Sequence, residues 1–281
     1  MTTPTINNDN LPADDALAPR RVRHELRFRV LTVQQVQRVT PHLLRITLAG
    51  DELEGFHSPG FDDHVKLFLP DAATGALRLP QATPDGMVWP EGAKPVMRDY
   101  TPGAHDAAAR TLQLDFALHD AGPATQWALQ AAPGQQVGLG GPRGSFILPT
   151  GFDVHLLVGD DTALPAIARR LAELPAAARA IVVAEVDSAA DHVPLASAAT
   201  LDVHWVHRQA GAAPADALLA RAVAALHLPP GETHAWVAAE SASAKAVRHH
   251  LVKERGLAPR RVKASGYWRR GSAGTHDTHE D

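Results

Sequence analysis

Apolar and polar positions change their rhythm about half way along this chain. Between Arg27 and about Pro149 the apolar positions come in short runs, FRVLTVQQVQRV, LLRITLAG, HVKLFLP, TLQLDFALH and QQVGLGGP, separated by turn residues. Strands at that spacing predict a small antiparallel barrel. One helical pattern interrupts them: AGPATQWALQAAPG has Pro123 early, Gly134 at its close, and Trp127 and Leu129 as apolar positions. From Asp153 onward an apolar strand is followed repeatedly by an Ala-rich helix: VHLLVGDD, TALPAIARRLAELP, AIVVAEVD, LDVHWVH, DALLARAVAALHLP, HAWVAAES and SAKAVRHHLVKERG. Continuous apolar strands alternating with helices call for a parallel sheet covered on both faces, so this half is expected to be doubly wound. No internal repeat suggests a solenoid.

The two ends lack this rhythm. MTTPTINNDNLPADDALAPR has neither the basic nor the apolar region of a secretory signal, and GSAGTHDTHED has no periodicity. The expected layout is therefore a disordered lead over 1–22, domains over 23–150 and 151–271, and a disordered tail over 272–281. The longest apolar stretches are broken well short of the ~18 residues a membrane span needs, so none is expected. With 27 Lys plus Arg against 31 Asp plus Glu, the formal charge of −4 provides no global field for nucleic acid or an anionic membrane. Any anion site must come from a local basic cluster. The absence of cysteine excludes disulfides, thiolate zinc sites, cysteine-ligated iron–sulfur clusters and a catalytic thiol, and it fits a reducing cytoplasm. Sixteen histidines raise the question of a metal, but none stands at ligand spacing. His249 and His250 are neighbours, which a helix points about 100° apart. No protein-bound metal is expected, and no G-x-S-x-G elbow supports serine hydrolysis.

A parallel sheet places ligands beyond the carboxyl ends of its strands. After LLVG stand Asp160, Asp161, Thr162 and Ala163, after IVVAEV stands Asp187, and after AWVAA stand Glu240 and Ser241. The first turn reads GDDTALPA and not the G-x-G-x-x-G fingerprint, so these residues suit either a nucleotide site or the ordinary caps of a structural sheet. In the barrel half, VMRDYTPG sets Arg98 and Tyr100 on one strand face and Thr101 on the other. Arg supplies a bidentate phosphate contact, Tyr packs on a flat ring, and Thr offers a hydrogen bond to a heterocycle.

RDYTP, LHDAGPATQWA, GPRGSF, VGDDTALPAIARRL and SGYWRRG follow one another in register from about Arg27 to Gly271. Together they resemble the siderophore-interacting protein family of flavin-dependent ferric-siderophore reductases. The resemblance implies a ferredoxin-reductase-like, β plus α/β fold: an N-terminal antiparallel barrel holding FAD, then a doubly wound domain presenting NADPH or NADH. It sets Arg98 at the flavin pyrophosphate and Tyr100 and Thr101 along the flavin, with Thr101 beside N5 as the catalytic candidate. His119, Gly122, Ala124 and Thr125 fall on the second flavin segment, where small residues let helix amides approach the pyrophosphate. Trp127 is read as packing support. Two positions depart from the family pattern. Gly103 stands where a second Arg is usual, and His119 is followed directly by Asp120.

The same resemblance implies hydride transfer from a nicotinamide bound by Asp161, Thr162, Ala163, Glu240 and Ser241, then single-electron transfer to the iron(III) of a ferric siderophore. Lys66, Arg143 and Arg269, beside Arg270, are the candidate contacts for that bulky anion. Trp268 is read as packing, and Tyr267 is left open. Asp187 favours the ribose hydroxyls of NADH and would repel a 2′-phosphate, whereas Arg208 and Lys245 supply positive charge nearby, and Ser241, Ser243, Lys245 and Arg248 resemble a phosphate cradle for NADPH. The expected protein is a cytoplasmic monomer acting on a ferric siderophore. A general flavin reductase of the same fold would not need Lys66, Arg143 and Arg269. A non-catalytic siderophore or flavin carrier would bind ligand without oxidising NAD(P)H.

Overall fold

Residues 16–83, 86–92, 94–118, 122–208, 217–271 and 277–278 are described by the structure, a computed structural model. The chain divides into one unit of Met1–Val39 and Leu43–Leu148 and a second of Thr40–His42 and Pro149–Asp281.

The first unit holds β1 (Arg20–Arg23), β2 (Phe28–Thr40), β3 (Leu43–Ala49), β4 (Val65–Phe68), β5 (Gln81–Thr83), β6 (Gly86–Val88), β7 (Met97–Tyr100), β8 (His105–Asp106), β9 (Thr111–Ala117), the helix α1 (Pro123–Gln130), β10 (Gln136–Gly140) and β11 (Gly144–Ile147). The expected antiparallel architecture takes the form of one seven-stranded sheet in the order β7-β4-β10-β2-β3-β9-β8, with separate two-stranded ladders β1-β11 and β5-β6. Alternation sets the register. Leu44, Ile46 and Leu48 of β3 stand opposite Phe116, Leu114 and Leu112 of β9. All six are buried in one core with Leu31, Val33, Val65, Leu67, Val137 and Leu139. A one-residue slip would turn Arg45 and Asp115 into that core, where the charges would be desolvated. In the actual register they pair with each other across the two strands, 2.7 Å apart. Arg20, Arg21 and Val22, expected in a disordered lead, instead belong to β1. Its backbone pairs with β11, Arg20 opposite Ile147 and Arg23 opposite Gly144.

The second unit is doubly wound. It contains β12 (Val154–Asp160), α2 (Leu164–Glu173), β13 (Arg179–Val186), β14 (Thr200–His207), α3 (Leu218–Ala225), β15 (Thr233–Glu240), α4 (Ser241–His249) with a π-helical continuation over His250–Glu254, β16 (Val262–Trp268) and β17 (Asp277–Thr278). The sheet order β14-β13-β12-β15-β16-β17 reverses direction between β12 and β15, the point at which such sheets open a ligand crevice. The first five strands are parallel. Val154, Leu156, Val158, Ile181, Val183 and Val237 face Leu219, Val223, Val247 and Leu251 of the helical layer. The expected disordered tail contains β17, where Thr278 pairs antiparallel with Ser265.

Candidate functional site

In the first unit the flavin motif lies on β7. Arg98 stands opposite Leu67 and Tyr100 opposite Val65, while Asp99 stands opposite Lys66, so the Arg and Tyr share one face of the strand. The Arg98 guanidinium donates from Nη1 to the Met97 carbonyl at 2.7 Å, which bends it back along its own strand. Tyr100 packs its ring 4.3 Å from that of Phe116, and Phe116 lies 5.7 Å from Trp127 of α1. Burial pushes the Tyr100 hydroxyl pKa up, so the phenol remains a proton donor throughout the working pH range. Thr101 follows the strand and is only 7% exposed.

Helix α1 begins at Pro123 with Gly122 at its N-cap and no side-chain cap. Its first backbone hydrogen bond runs from Gln126 N to Gly122 O, and among the described residues no side chain caps the first turn. Among the described residues a Cβ at Gly122 would meet only Thr125 Oγ1, at 3.9 Å. An uncapped first turn, a glycine at its start and a nearby strand bearing Arg and Tyr fit the pyrophosphate and ring of a flavin dinucleotide. His119 lies outside the described residues. Gly103 has a local reason: its amide donates to Gln113 O at 2.8 Å, and a Cβ there would stand 2.9 Å from that same oxygen. A side chain at position 103 would press on the backbone of β9.

In the second unit the carboxyl ends of β12 and β13 collect acids around Arg208, which follows β14. Asp161 Oδ2 accepts a short hydrogen bond from Arg208 Nη2. Arg208 also lies 3.6 Å from Glu185 and 3.9 Å from Asp187. Burial, reinforced by Asp160, raises Glu185 to a pKa of about 7. Asp161 is 5% exposed, and its other oxygen, Oδ1, accepts no hydrogen bond among the described residues. A buried carboxylate oxygen without a donor fits the carboxamide N–H or a ribose hydroxyl of a nicotinamide nucleotide. Thr162 and Ala163 form the turn beneath it, and Ala163 is fully buried.

The other expected nucleotide residues are already engaged. Glu240 caps α4, its Oε2 accepting from Ala242 N and Ser243 N at 2.7 and 3.3 Å, so the amides a phosphate would use are taken. Ser241, Ser243 and Arg248 are buried, and of the expected phosphate cradle only Lys245 is exposed. The run reads as a cradle in sequence, but its spacing turns three of the four side chains toward the sheet.

Of the expected substrate cations, Lys66 is ion-paired with Asp99 at 2.6 Å. Arg143 and Arg269 are exposed. Neither guanidinium has a partner among the described residues. Trp268 donates from Nε1 to Asp160 Oδ2 at 2.8 Å, and Tyr267 meets Trp236 edge to face at 6.1 Å.

Two features were hidden from sequence spacing. The turn residue His42, which divides with the second unit, lies with Asp187 and Asp191 so that one ligand atom of each is within 4.8 Å of the others. The Asp191 carboxylate already accepts from Thr40 Oγ1, His42 N and Ser188 Oγ, so the group is a hydrogen-bonded clasp. At the opposite end of the sheet a cavity of about 410 Å³ is lined by Glu232, Arg255, Leu257, Arg260 and Arg261. There Arg255 caps the end of α3 through the Ala224 and Leu226 carbonyls, and Arg261 pairs with Glu232.

Residues 32–146 match the family described as siderophore-interacting FAD-binding domain, and residues 152–271 match that described as siderophore-interacting protein. The chain is 38% identical over 253 residues to an NADPH-dependent ferric-chelate reductase of Escherichia coli (strain K12), covering 89% of this chain and 96% of that one. It is 37% identical over 246 residues to the ferric vibriobactin reductase ViuB of Vibrio cholerae, covering 86% and 90%. A crystal structure of a siderophore utilization protein from T. fusca superposes with a TM-score of 0.84 at 39% identity, covering 92% of this chain and 98% of that one. Likeness to a ferredoxin NADP+ reductase from Neisseria gonorrhoeae, at 14% identity and a TM-score of 0.50 over 82% and 92% of the two chains, bears on the fold alone and makes it ferredoxin-reductase-like.

Proposed function

The chain belongs to the siderophore-interacting protein family, and on that premise we propose that it is an NAD(P)H-dependent flavoprotein reducing the iron(III) of ferric siderophores. The single observation that carries this reading is its similarity, along both units, to two ferric reductases. NADPH is the donor named for one of them. FAD, where bound, would supply the redox chemistry that links a nicotinamide donor to iron(III).

The chain's own residues bind and orient. Arg98 and the amides of Ala124 and Thr125 would hold the pyrophosphate, Tyr100 would support the ring, and the Thr101 hydroxyl would offer a hydrogen bond to the flavin. Asp161 Oδ1 accepts from the nicotinamide carboxamide or a ribose hydroxyl, and Arg208 keeps the facing carboxylates from repelling the nucleotide. Arg143 and Arg269 receive the anionic ferric complex, with Lys66 contributing through a charge shared with Asp99. Iron leaves after reduction because iron(II) is a poorer match for hard oxygen donors. We further propose a cytoplasmic monomer, its oligomeric state to be checked by light scattering.

The test is an anaerobic absorption titration of the FAD-loaded protein. Flavin bands that bleach with NADPH and recover as a ferrous chelator colours on addition of a ferric tricatecholate are the expected result. Failure to take up FAD overturns the flavin assignment. Bleaching without ferrous product leaves a general flavin reductase, and bound siderophore without NADPH oxidation leaves a carrier.

A further inference from the structure

Arg269 carries an exposed guanidinium on a backbone anchored from both sides. On one side, the neighbouring Trp268 donates its indole N–H to Asp160 Oδ2 at 2.8 Å. On the other, the amide of Arg270 donates to Glu240 Oε1 at 3.2 Å. Both acceptors are themselves fixed. Asp160 is 2% exposed at the end of β12 and also accepts from Thr162 N at 3.0 Å, Thr162 Oγ1 at 2.5 Å and Glu240 N at 2.9 Å. The remaining oxygen of Glu240 caps α4 through Ala242 N and Ser243 N.

The strand is built to deliver this posture. The ladder between β15 and β16 is regular up to Ala239 opposite Gly266, then shifts so that Glu240 stands opposite Trp268 and Tyr267 is the extra residue. Such a bulge re-aims the side chains beyond it. Gly266, just before the bulge, runs against α4: a Cβ there would meet Ser241 Cβ at 2.9 Å and its Cα at 3.0 Å. The strand therefore packs its backbone directly against the start of the helix.

We propose that Asp160 and Trp268 are positioning residues that hold the backbone of Arg269, so that its guanidinium is set in place for the anionic ferric siderophore before the substrate arrives. The inference rests on the reading of Arg269 as a siderophore contact. Ordering the backbone in advance lowers the entropy cost of binding, while the free guanidinium keeps its charge for the ligand. A carboxylate suits this role better than an amide, because each of its oxygens here receives two donors and an Asn would have to turn an N–H toward two of them. Because Asp160 also caps the Thr162 turn, Trp268 is the cleaner place to cut the link.

The test uses the FAD-loaded full chain and a redox-inert gallium(III) tricatecholate, with binding followed calorimetrically in wild type, Trp268→Phe, Arg269→Ala and the double variant. Arg269→Ala is expected to weaken binding by about tenfold, as loss of a charge-assisted hydrogen bond does, and Trp268→Phe by about threefold to tenfold. In the double variant Trp268→Phe should add nothing further, since it acts through Arg269. NADPH-driven reduction of a tetrazolium dye by Trp268→Phe should keep its kcat, whereas KM for the iron(III) tricatecholate rises. Additive losses, or a Trp268→Phe protein that binds like wild type while Arg269→Ala does not, overturn the positioning role and leave the contact intact. An Arg269→Ala protein that binds like wild type overturns the contact and the positioning role with it. If Trp268→Phe yields too little folded protein, Asp160→Asn weakens the same link from its acceptor side. A loss that adds nothing to that of Arg269→Ala is then the expected result, and binding like wild type overturns the role.

Discussion

At the scale of single residues, close approach decides more than charge. Gly159 ends the apolar part of β12, and a Cβ there would stand 2.4 Å from Ala163 Cβ and 2.6 Å from the Ala238 carbonyl. Neither neighbour is the end of a flexible side chain, so Gly159→Ala is expected to destabilise the protein by about 1–3 kcal/mol, read as a lower midpoint in urea with an unchanged slope. The same argument governs Gly103. Restoring the family's second arginine with Gly103→Arg should lower the melting temperature without tightening flavin binding, because the new side chain would first displace the β9 backbone at Gln113. Arg98 has no such constraint. Arg98→Ala is expected to raise the dissociation constant for FAD about tenfold or more, the loss of a charge-assisted contact to pyrophosphate, measured by quenching of flavin fluorescence.

At the scale of elements, the second sheet carries different chemistry at its two ends. The amino ends of β12 and β15 bury His155 and His234 beside the fully buried Arg170. Burial first, and the Arg170 guanidinium second, lower the pKa of His155 to about 4 and that of His234 to about 3. Their unfolded-state values are near 6.5, so the unfolded chain binds more protons than the folded one below that pH. Stability from both histidines is present above about pH 6.5 and is lost as the pH falls toward 4. Glu185, at the carboxyl end of β13, acts in the opposite sense. Its pKa is raised to about 7, so the stability of its protonated form is present below the unfolded value and is lost as the pH rises toward 7. The unfolding free energy from urea titrations should therefore fall from pH 6.5 to pH 5, the histidines outweighing Glu185. Glu185→Gln, which removes the opposing group, should steepen that slope, and an unchanged slope would show that Glu185 ionises alike in the folded and unfolded chains.

At the scale of the molecule, each unit closes its own core. Ligand binding should be visible in stability as well as in spectra, because a ligand that binds only the folded state adds its binding energy to it. FAD at a hundred times its dissociation constant is expected to add about 2.7 kcal/mol, seen as a rise in melting temperature that saturates with FAD. Arg98→Ala should need about ten times more FAD for the same rise. A melting temperature indifferent to FAD in the wild type would contradict the assignment of β7 and α1 to the flavin.

Much of this organisation was legible in the chain because it depends on local periodicity. Period-two runs such as TLQLDFA can bury Leu112, Leu114 and Phe116 only as a strand with one face inward, and apolar runs such as VHLLVG can be covered only between helical layers, so both architectures followed from pattern alone. The short motifs lie on single elements, so the places of Arg98, Tyr100, Gly122 and Thr101 could also be read off directly. What required the tertiary structure was every statement about partners distant in sequence. Lys66 reads as a free cation until β4 and β7 pair it with Asp99, and Arg20, Arg21 and Val22 read as a loose lead until β11 supplies their ladder. The phosphate cradle of Ser241, Ser243, Lys245 and Arg248 vanishes once Glu240 caps their helix and the sheet covers three of them. The Asp160 link to Trp268 joins residues 108 positions apart, and it exists only because parallel strands bring their carboxyl ends to one edge. Periodicity is a property of neighbours in the chain, whereas hydrogen bonds and burial are properties of neighbours in space, and only folding makes the two agree.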